Sequence, residues 1–255
     1  MILAVLNNKG GVGKTTAAVN LAAALATPKR RVLLIDLDSQ ASASLSCGVP
    51  RTQLLPSSAN CLLQDYPAIK AVRQTSTRNL DLITGSTELA NADLALCDVP
   101  GREVALQQCL KPVRQRYDIV VLDCPPSLSL VGVNALMAAD GLIVPVCPQF
   151  LAVEGLSNLL AAVDQVRNRL GSKIRVLGIL LTMTTSGRNA AEAIRTLRAR
   201  HRDRVFHTEI AHSGTLEGAP RTGKPIIECV PRSRAAAAFR RLGGEVLDRL
   251  RELKR

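Results

Sequence analysis

The chain has 255 residues, 47% of them hydrophobic, and no tryptophan. That length suits one sizeable α/β domain with an aliphatic core, and no apolar run approaches the ~18 residues of a membrane span. The formal charge of +12 points to a polyanionic partner, either nucleic acid or an acidic membrane surface.

In chain order, Ile2–Leu6 reads as a strand and Lys14–Ala26 as a helix rich in Ala and Leu. A strand that begins at once leaves no room for a signal peptide, so a cytoplasmic location is expected. Arg31–Ile35 reads as a second strand, and residues 46–76 as a polar, irregular stretch. Leu80–Ile83 is strand-like and Arg102–Arg116 helical. YDIVVLDCPPS (Tyr117–Ser127) reads as a buried strand ending in an acid and two prolines. Gly141–Val146, Ala152–Leu170 and Ile174–Thr182 repeat a strand–helix–strand rhythm, and Val230–Lys254 closes with a helical pattern. Strands alternating with helices predict an α/β fold: a doubly wound, mostly parallel sheet with helices on both faces. No repeat, linker or low-complexity tract divides the chain, so residues 1–255 read as one domain.

Seven scattered cysteines form no CxxC pair and read as small core hydrophobes. His201, His207 and His212 lack metal-ligand spacing.

The chemistry concentrates in NNKGGVGKTT, residues 7–16. A phosphate-binding loop runs Gly, four residues, then Gly-Lys-[Ser/Thr], between a strand and a helix. Gly13, Lys14 and Thr15 fit its end, but Asn8 stands where the first glycine belongs, and Lys9 is a second lysine. Gly10, Gly11 and Gly13 allow backbone N–H groups to face phosphate oxygens, with Val12 between them. Lys14 is expected to reach the β- and γ-phosphates, Thr15 to ligate Mg²⁺, and Thr16 to bond an outer phosphate. Asp123, at a strand end, matches an acid that holds Mg²⁺ through water. Asp36 and Asp38 end the second strand and, two apart, share a face while extended. Asp38 is the better candidate to position a water; Asp36 supports Mg²⁺ or structure.

KGGVGKTT (Lys9–Thr16), DLDSQAS (Asp36–Ser42) and YDIVVLDCPPSLS (Tyr117–Ser129) together resemble the ParA/MinD family of deviant Walker A ATPases. VPVCPQFLAVEGL (Val144–Leu156) and GTLEGAPRTGKPI (Gly214–Ile226) extend the resemblance over essentially the whole chain, most like the ParA/Soj partition branch. The resemblance implies a slow, Mg²⁺-dependent ATPase that forms a nucleotide-sandwich homodimer. In it Lys9, the family's signature lysine, crosses to the partner's ATP, with Lys9, Lys14 and Asp38 as the catalytic set. It also implies that Met183 and Pro220 contact the nucleotide. It further implies non-specific duplex DNA binding by late basic residues, here Arg188, Arg195, Arg198, Arg202, Arg234 and Arg240, and hence a nucleoid-associated protein. A ParB-type or cargo-adaptor partner would stimulate hydrolysis and drive partition of a plasmid or chromosome. The stretch IAHSGTLEGAP departs from the family. Ala211, His212 and Ser213 replace Pro, Arg and Asn, and Gly218 stands where an acid is common.

Two other readings use the same motifs. One is a positioning ATPase for a protein cargo such as carboxysomes. The other is a MinD-like membrane ATPase with an amphipathic tail. Against the tail, Gly243 and Gly244 are expected to interrupt the last helix, so no membrane partner is expected. A nitrogenase-iron-protein-like reductase would need cluster cysteines in glycine-rich turns, which Cys97 and Cys124 do not supply.

Overall fold

Side chains alternate across each central strand, and the alternation builds two cores. Ile2, Ala4 and Leu6 join one apolar cluster, while Leu3 and Val5 join the other, on the opposite face of the sheet. The computed structural model describes residues 1–149 and 152–253. Phe150 and Leu151 of the family-like Val144–Leu156 stretch, and Lys254 and Arg255 of the basic tail, lie outside the described residues.

Among the described residues eight strands form one sheet: β1 (Ile2–Val5), β2 (Val32–Asp36), β3 (Arg73–Gln74), β4 (Leu80–Ile83), β5 (Ile119–Asp123), β6 (Gly141–Val146), β7 (Arg175–Thr184) and β8 (Ile210–Ala211). Their order is β3-β4-β2-β5-β1-β6-β7-β8. Only β3 runs antiparallel, at the β4 edge. The central strands are buried at every position, as a parallel sheet covered on both faces requires.

Helices α1 (Lys14–Leu25), α2 (Ser42–Ser46), α3 (Ser58–Leu63), α4 (Leu130–Ala138), α5 (Ala152–Leu170), α6 (Arg188–His201) and α7 (Arg234–Leu253) follow. α1 and α7 cover one face, through Ala18, Leu21, Leu25, Phe239, Leu242 and Val246. α4, α5 and α6 cover the other, through Ala135, Leu159 and Leu197. The chain leaves β1 and returns as β2 with β5 between them, while β6 lies on the other side of β1. The loop after β1 therefore opens at the crevice where strand order reverses, the usual ligand position in such sheets.

Three local expectations need correction. The irregular stretch 46–76 contains α3, whose Ser57 and Asn60 cap each other reciprocally. Residues 102–116 are not one helix but three short pieces, Arg102–Val104, Ala105–Cys109 and Lys111–Arg114, with Pro112 in the first turn of the last. Gly243 and Gly244 do not interrupt α7, which runs unbroken past both. A Cβ on Gly243 would lie 3.4 Å from the Ala24 Cβ, so this position packs directly against α1.

Candidate functional site

The loop after β1 is pinned at both ends. Asn7 is buried; its Nδ2 donates to the Pro145 carbonyl at 2.6 Å and its Oδ1 accepts from the Lys9 N–H at 3.0 Å. At the far end the Thr182 hydroxyl donates to the Val12 carbonyl at 2.9 Å. Between these anchors Gly11 and Gly13 take φ of 71° and 80°, the left-handed region that only glycine enters freely. Gly13 also starts α1, and no side chain caps its end. The first-turn N–H groups therefore lack intrahelical partners and, with the helix dipole and no acidic residue in that turn, favour an anion.

The two lysines go different ways. Lys14 is buried, and its Nζ donates to the Lys9 carbonyl at 2.8 Å, inside the loop. Burial lowers its pKa, and the nearby Asp123 and Asp38 pull it back up. Lys9 is exposed, and its Nζ donates to Gln149 Oε1 at 3.0 Å.

Asp36 and Asp123 are register neighbours at the ends of β2 and β5, both fully buried. Asp36 is satisfied: its Oδ2 accepts from the Ser44 N–H at 2.8 Å and hydroxyl at 2.7 Å, and its Oδ1 from the Asp38 N–H at 3.1 Å. Burial pushes its pKa up to about 6 against those hydrogen bonds. Asp123 has neither oxygen in a hydrogen bond of normal geometry among the described residues. Burial, then the neighbouring Asp36, pushes its pKa well up; Thr15 and Lys14 lie near enough to oppose the shift. Asp38 departs from the shared face expected for it. β2 ends at Asp36, and Asp38 instead lines the open cleft, its Oδ1 accepting from the Gln40 N–H at 2.9 Å.

That cleft, of about 480 Å³, brings together Gly10, Gly11, Gly13, Lys14, Thr15, Thr16, Asp38, Pro126, Met183 and Pro220. An adjoining apolar pocket joins Gly13, Thr16 and Met183 to Leu216, Phe239 and the departing residues Ala211, His212 and Ser213. His212 Nδ1 lies 3.3 Å from Glu217 Oε1 at its rim. Met183 holds a φ of 51° where the β7–β8 pairing shifts register, and its Cε would lie 3.7 Å from a Cβ on Gly13.

The residues fit a Mg²⁺ ion. Among the described residues no cluster of three His, Cys, Asp or Glu side chains could hold a metal by itself. Mg²⁺ typically takes one or two protein groups and fills its shell with phosphate and water. The unpartnered Asp123 and the Thr15 hydroxyl supply such groups beneath an anion-binding loop.

An AAA domain profile matches residues 1–176. The chain is 40% identical over 246 residues to the sporulation initiation inhibitor protein Soj of Bacillus subtilis, covering 96% of this chain and 97% of that protein. The chain belongs to the ParA/MinD family of P-loop ATPases. The chromosome partitioning protein ParA of Myxococcus xanthus is 36% identical over 249 residues, covering 97% of this chain and 88% of that one. Among solved structures, cobyrinic acid a,c-diamide synthase from Mycobacterium smegmatis with bound ATP analogue and magnesium superposes with a TM-score of 0.85. It is 30% identical, covering 98% of this chain and 95% of that one. Names differ across this one fold, so function is argued from the site.

The six arginines that the resemblance marks for DNA lie in two places in this ParA/MinD protein. Arg188, Arg195 and Arg202 are exposed on α6 and the turn after it, and Arg234 and Arg240 are exposed on α7, on the opposite face of the sheet. Arg198 differs from the others. It pairs with Glu209 at 2.7 Å and donates to the Phe206 carbonyl at 3.2 Å, tying α6 to the segment before β8. Arg240 donates to the Pro231 carbonyl at 2.8 Å from an exposed position. No helix among the described residues is long and apolar enough to cross a membrane.

Asn7, Ser44, Gln149 and Thr182 also hold the site together without belonging to the candidate site residues named above. Each acts through a hydrogen bond to a residue distant in the chain or off the motif. Asn7 alone carried a local signal, as a buried-strand exit immediately before the loop.

Proposed function

We propose that this protein is a Mg²⁺-dependent ATPase whose ATP-bound form is a face-to-face homodimer. The dimer binds duplex DNA without sequence preference and positions a cargo, and a ParB-type or adaptor partner stimulates hydrolysis. The observation that carries this reading is the pair of lysines in one loop: Lys14 turned in to the Lys9 carbonyl, Lys9 on the outside. Two triphosphates brought face to face repel strongly unless cations stand between them. Lys14 serves the nucleotide of its own chain, and Lys9 is free to serve that of a second copy. The relatives named for chromosome partitioning support the cargo assignment.

Within each subunit, the α1 N-terminus and the glycines bind and orient the phosphates. Thr15 and Asp123 would hold Mg²⁺, which neutralises charge on the phosphates when bound. Asp38, in the cleft, orients the attacking water. Met183 and Pro220 wall the nucleotide, and the apolar pocket beside them suits the base. Burial of two triphosphates makes ATP both substrate and adhesive, and hydrolysis releases the pair.

Light scattering of the purified protein tests this. A monomer in ADP and Mg²⁺ is expected to become a dimer in ATP and Mg²⁺, and to revert when EDTA is added. A mass unchanged between ADP and ATP would overturn the sandwich.

A further inference from the structure

Asp38 can orient a water only if its backbone is held to a fraction of an ångström, since small misplacements are costly in catalysis. Its surroundings show how that is done. Asp36 Oδ1 accepts from the Asp38 N–H at 3.1 Å, and the Asp38 carbonyl accepts from the Ala41 N–H at 3.0 Å. Asp36 is in turn fixed by Ser44, through both its N–H and its hydroxyl. The Ser44 oxygen then accepts from the Gly85 N–H at 3.0 Å, in the loop that follows β4. Asp36 and Ser44 are both fully buried. A Cβ on Gly85 would lie 2.6 Å from the Asp38 carbonyl oxygen and 2.9 Å from Asp36 Cγ. Space, not an unusual φ, therefore demands glycine there.

We propose that Ser44 and Gly85 are positioning residues for Asp38, acting through Asp36. The inference rests on the assignment of Asp38 as the water-orienting residue. Neither Ser44 nor Gly85 lines the cleft. Ser44 relays one rigid contact from the loop after β4, with β2 and β5 between that strand and β1, to the end of β2. A fully satisfied buried network of this kind specifies one geometry, and loses it when one member is removed. The relay also divides the two acids by role: Asp36 spends its oxygens on Ser44 and the Asp38 backbone, while Asp123 keeps its own for a cation.

The test uses the full chain with ATP and Mg²⁺. Ser44→Ala is expected to lower kcat about 10- to 100-fold, as a misplacement near 1 Å can. ATP affinity should change by less than about threefold, because the phosphate loop is untouched. Ser44→Thr, which keeps the hydroxyl, should recover most of the rate. Gly85→Ala, on a different element, should reproduce the loss and carries the test if Ser44→Ala does not fold. In an Asp38→Ala background, Ser44→Ala should cause no further loss, because both act through one group. An unchanged kcat in both Ser44→Ala and Gly85→Ala overturns the inference. So does a full additional loss in the Asp38→Ala background. A raised Mg²⁺ requirement with kcat restored at saturating Mg²⁺ also overturns it, since that places Asp36 with the metal instead. If Asp38→Ala itself turns over normally, the assignment of Asp38 fails. If Asp38→Ala is inactive while Ser44→Ala is normal, only the relay fails.

Discussion

Lys9 and Lys14 lie five residues apart and meet through one hydrogen bond, yet their ammonium groups face different ways. On the proposed function, an incoming phosphate displaces the Lys9 carbonyl as the partner of the Lys14 ammonium. Lys9 rests on Gln149 of its own chain, an exposed contact that costs little to break. Lys9→Ala is therefore expected to bind nucleotide with near-normal affinity and to lose the ATP-dependent dimer. Fluorescent nucleotide titration and light scattering on one sample check both halves; an undiminished dimer would remove Lys9 from the interface. Asp38 poses the complementary case. It lines the cleft but touches neither the Lys14 ammonium nor Asp123 through a hydrogen bond. Asp38→Ala should leave nucleotide and Mg²⁺ bound while turnover falls by at least about 100-fold, the loss typical when a water-positioning group is removed. The ATP dimer should then persist for hours in sizing runs where the unaltered protein decays to monomer. Normal turnover with its partner present would move the role elsewhere.

At the scale of elements, glycine decides how closely helices and strands pack. Gly244 in α7 has no atom within 4 Å of where a Cβ would stand, so it contributes only backbone freedom. Gly244→Ala should stabilise the fold by about 1 kcal/mol, the helix-interior difference, raising Tm by roughly 2–4 °C. Gly178 in β7 is the opposite case. Its Cβ would fall 2.5 Å from the Phe206 ring, which is fully buried beneath the Arg249 guanidinium at 4.1 Å. Gly178→Ala should cost about 1–3 kcal/mol through overpacking, read as a lower midpoint in urea. A midpoint unmoved by either substitution would contradict the packing described. The same reasoning shows what the sequence made legible. The strands around the loop announced themselves as apolar runs ending at acids, and β6 and α5 fall where periodicity puts them. α3 and the pieces of 102–116 are too short for a 3.6-residue period to register. Gly243 looked like a helix breaker because propensity cannot see Ala24 across the interface. In the site, the loop motif around Thr15 and the strand end at Asp123 stand out in the sequence because each is a local pattern, although the two lie far apart in the chain. Ser44 and Gly85 were not, because the relay joins residues 41 apart in the chain through a single hydroxyl.

For the whole molecule the governing quantity is the +12 charge and its arrangement. Arg198 is committed to Glu209 and the Phe206 carbonyl, so replacing it with Glu would damage the fold before it reported on DNA. Arg188, Arg195 and Arg202 are exposed on one helix and the turn after it, and they make the better test surface. One subunit offers few phosphate contacts, whereas a dimer doubles them on a single rigid body, so binding should require ATP. If the dimer releases about six counterions, affinity should fall on the order of a thousandfold between 50 and 200 mM salt. Scrambling the duplex sequence should leave affinity unchanged, since phosphate contacts carry no sequence information. The triple substitution of Arg188, Arg195 and Arg202 by Glu should abolish binding and leave ATP-dependent dimerisation intact, as measured by fluorescence anisotropy and light scattering. Retained binding in that variant would shift the contact surface to Arg234 and Arg240 on α7, across the sheet. Equal affinity in ADP and ATP would be the graver result. It would uncouple DNA release from hydrolysis, and a protein that binds DNA equally in both states cannot move a cargo by turning over ATP.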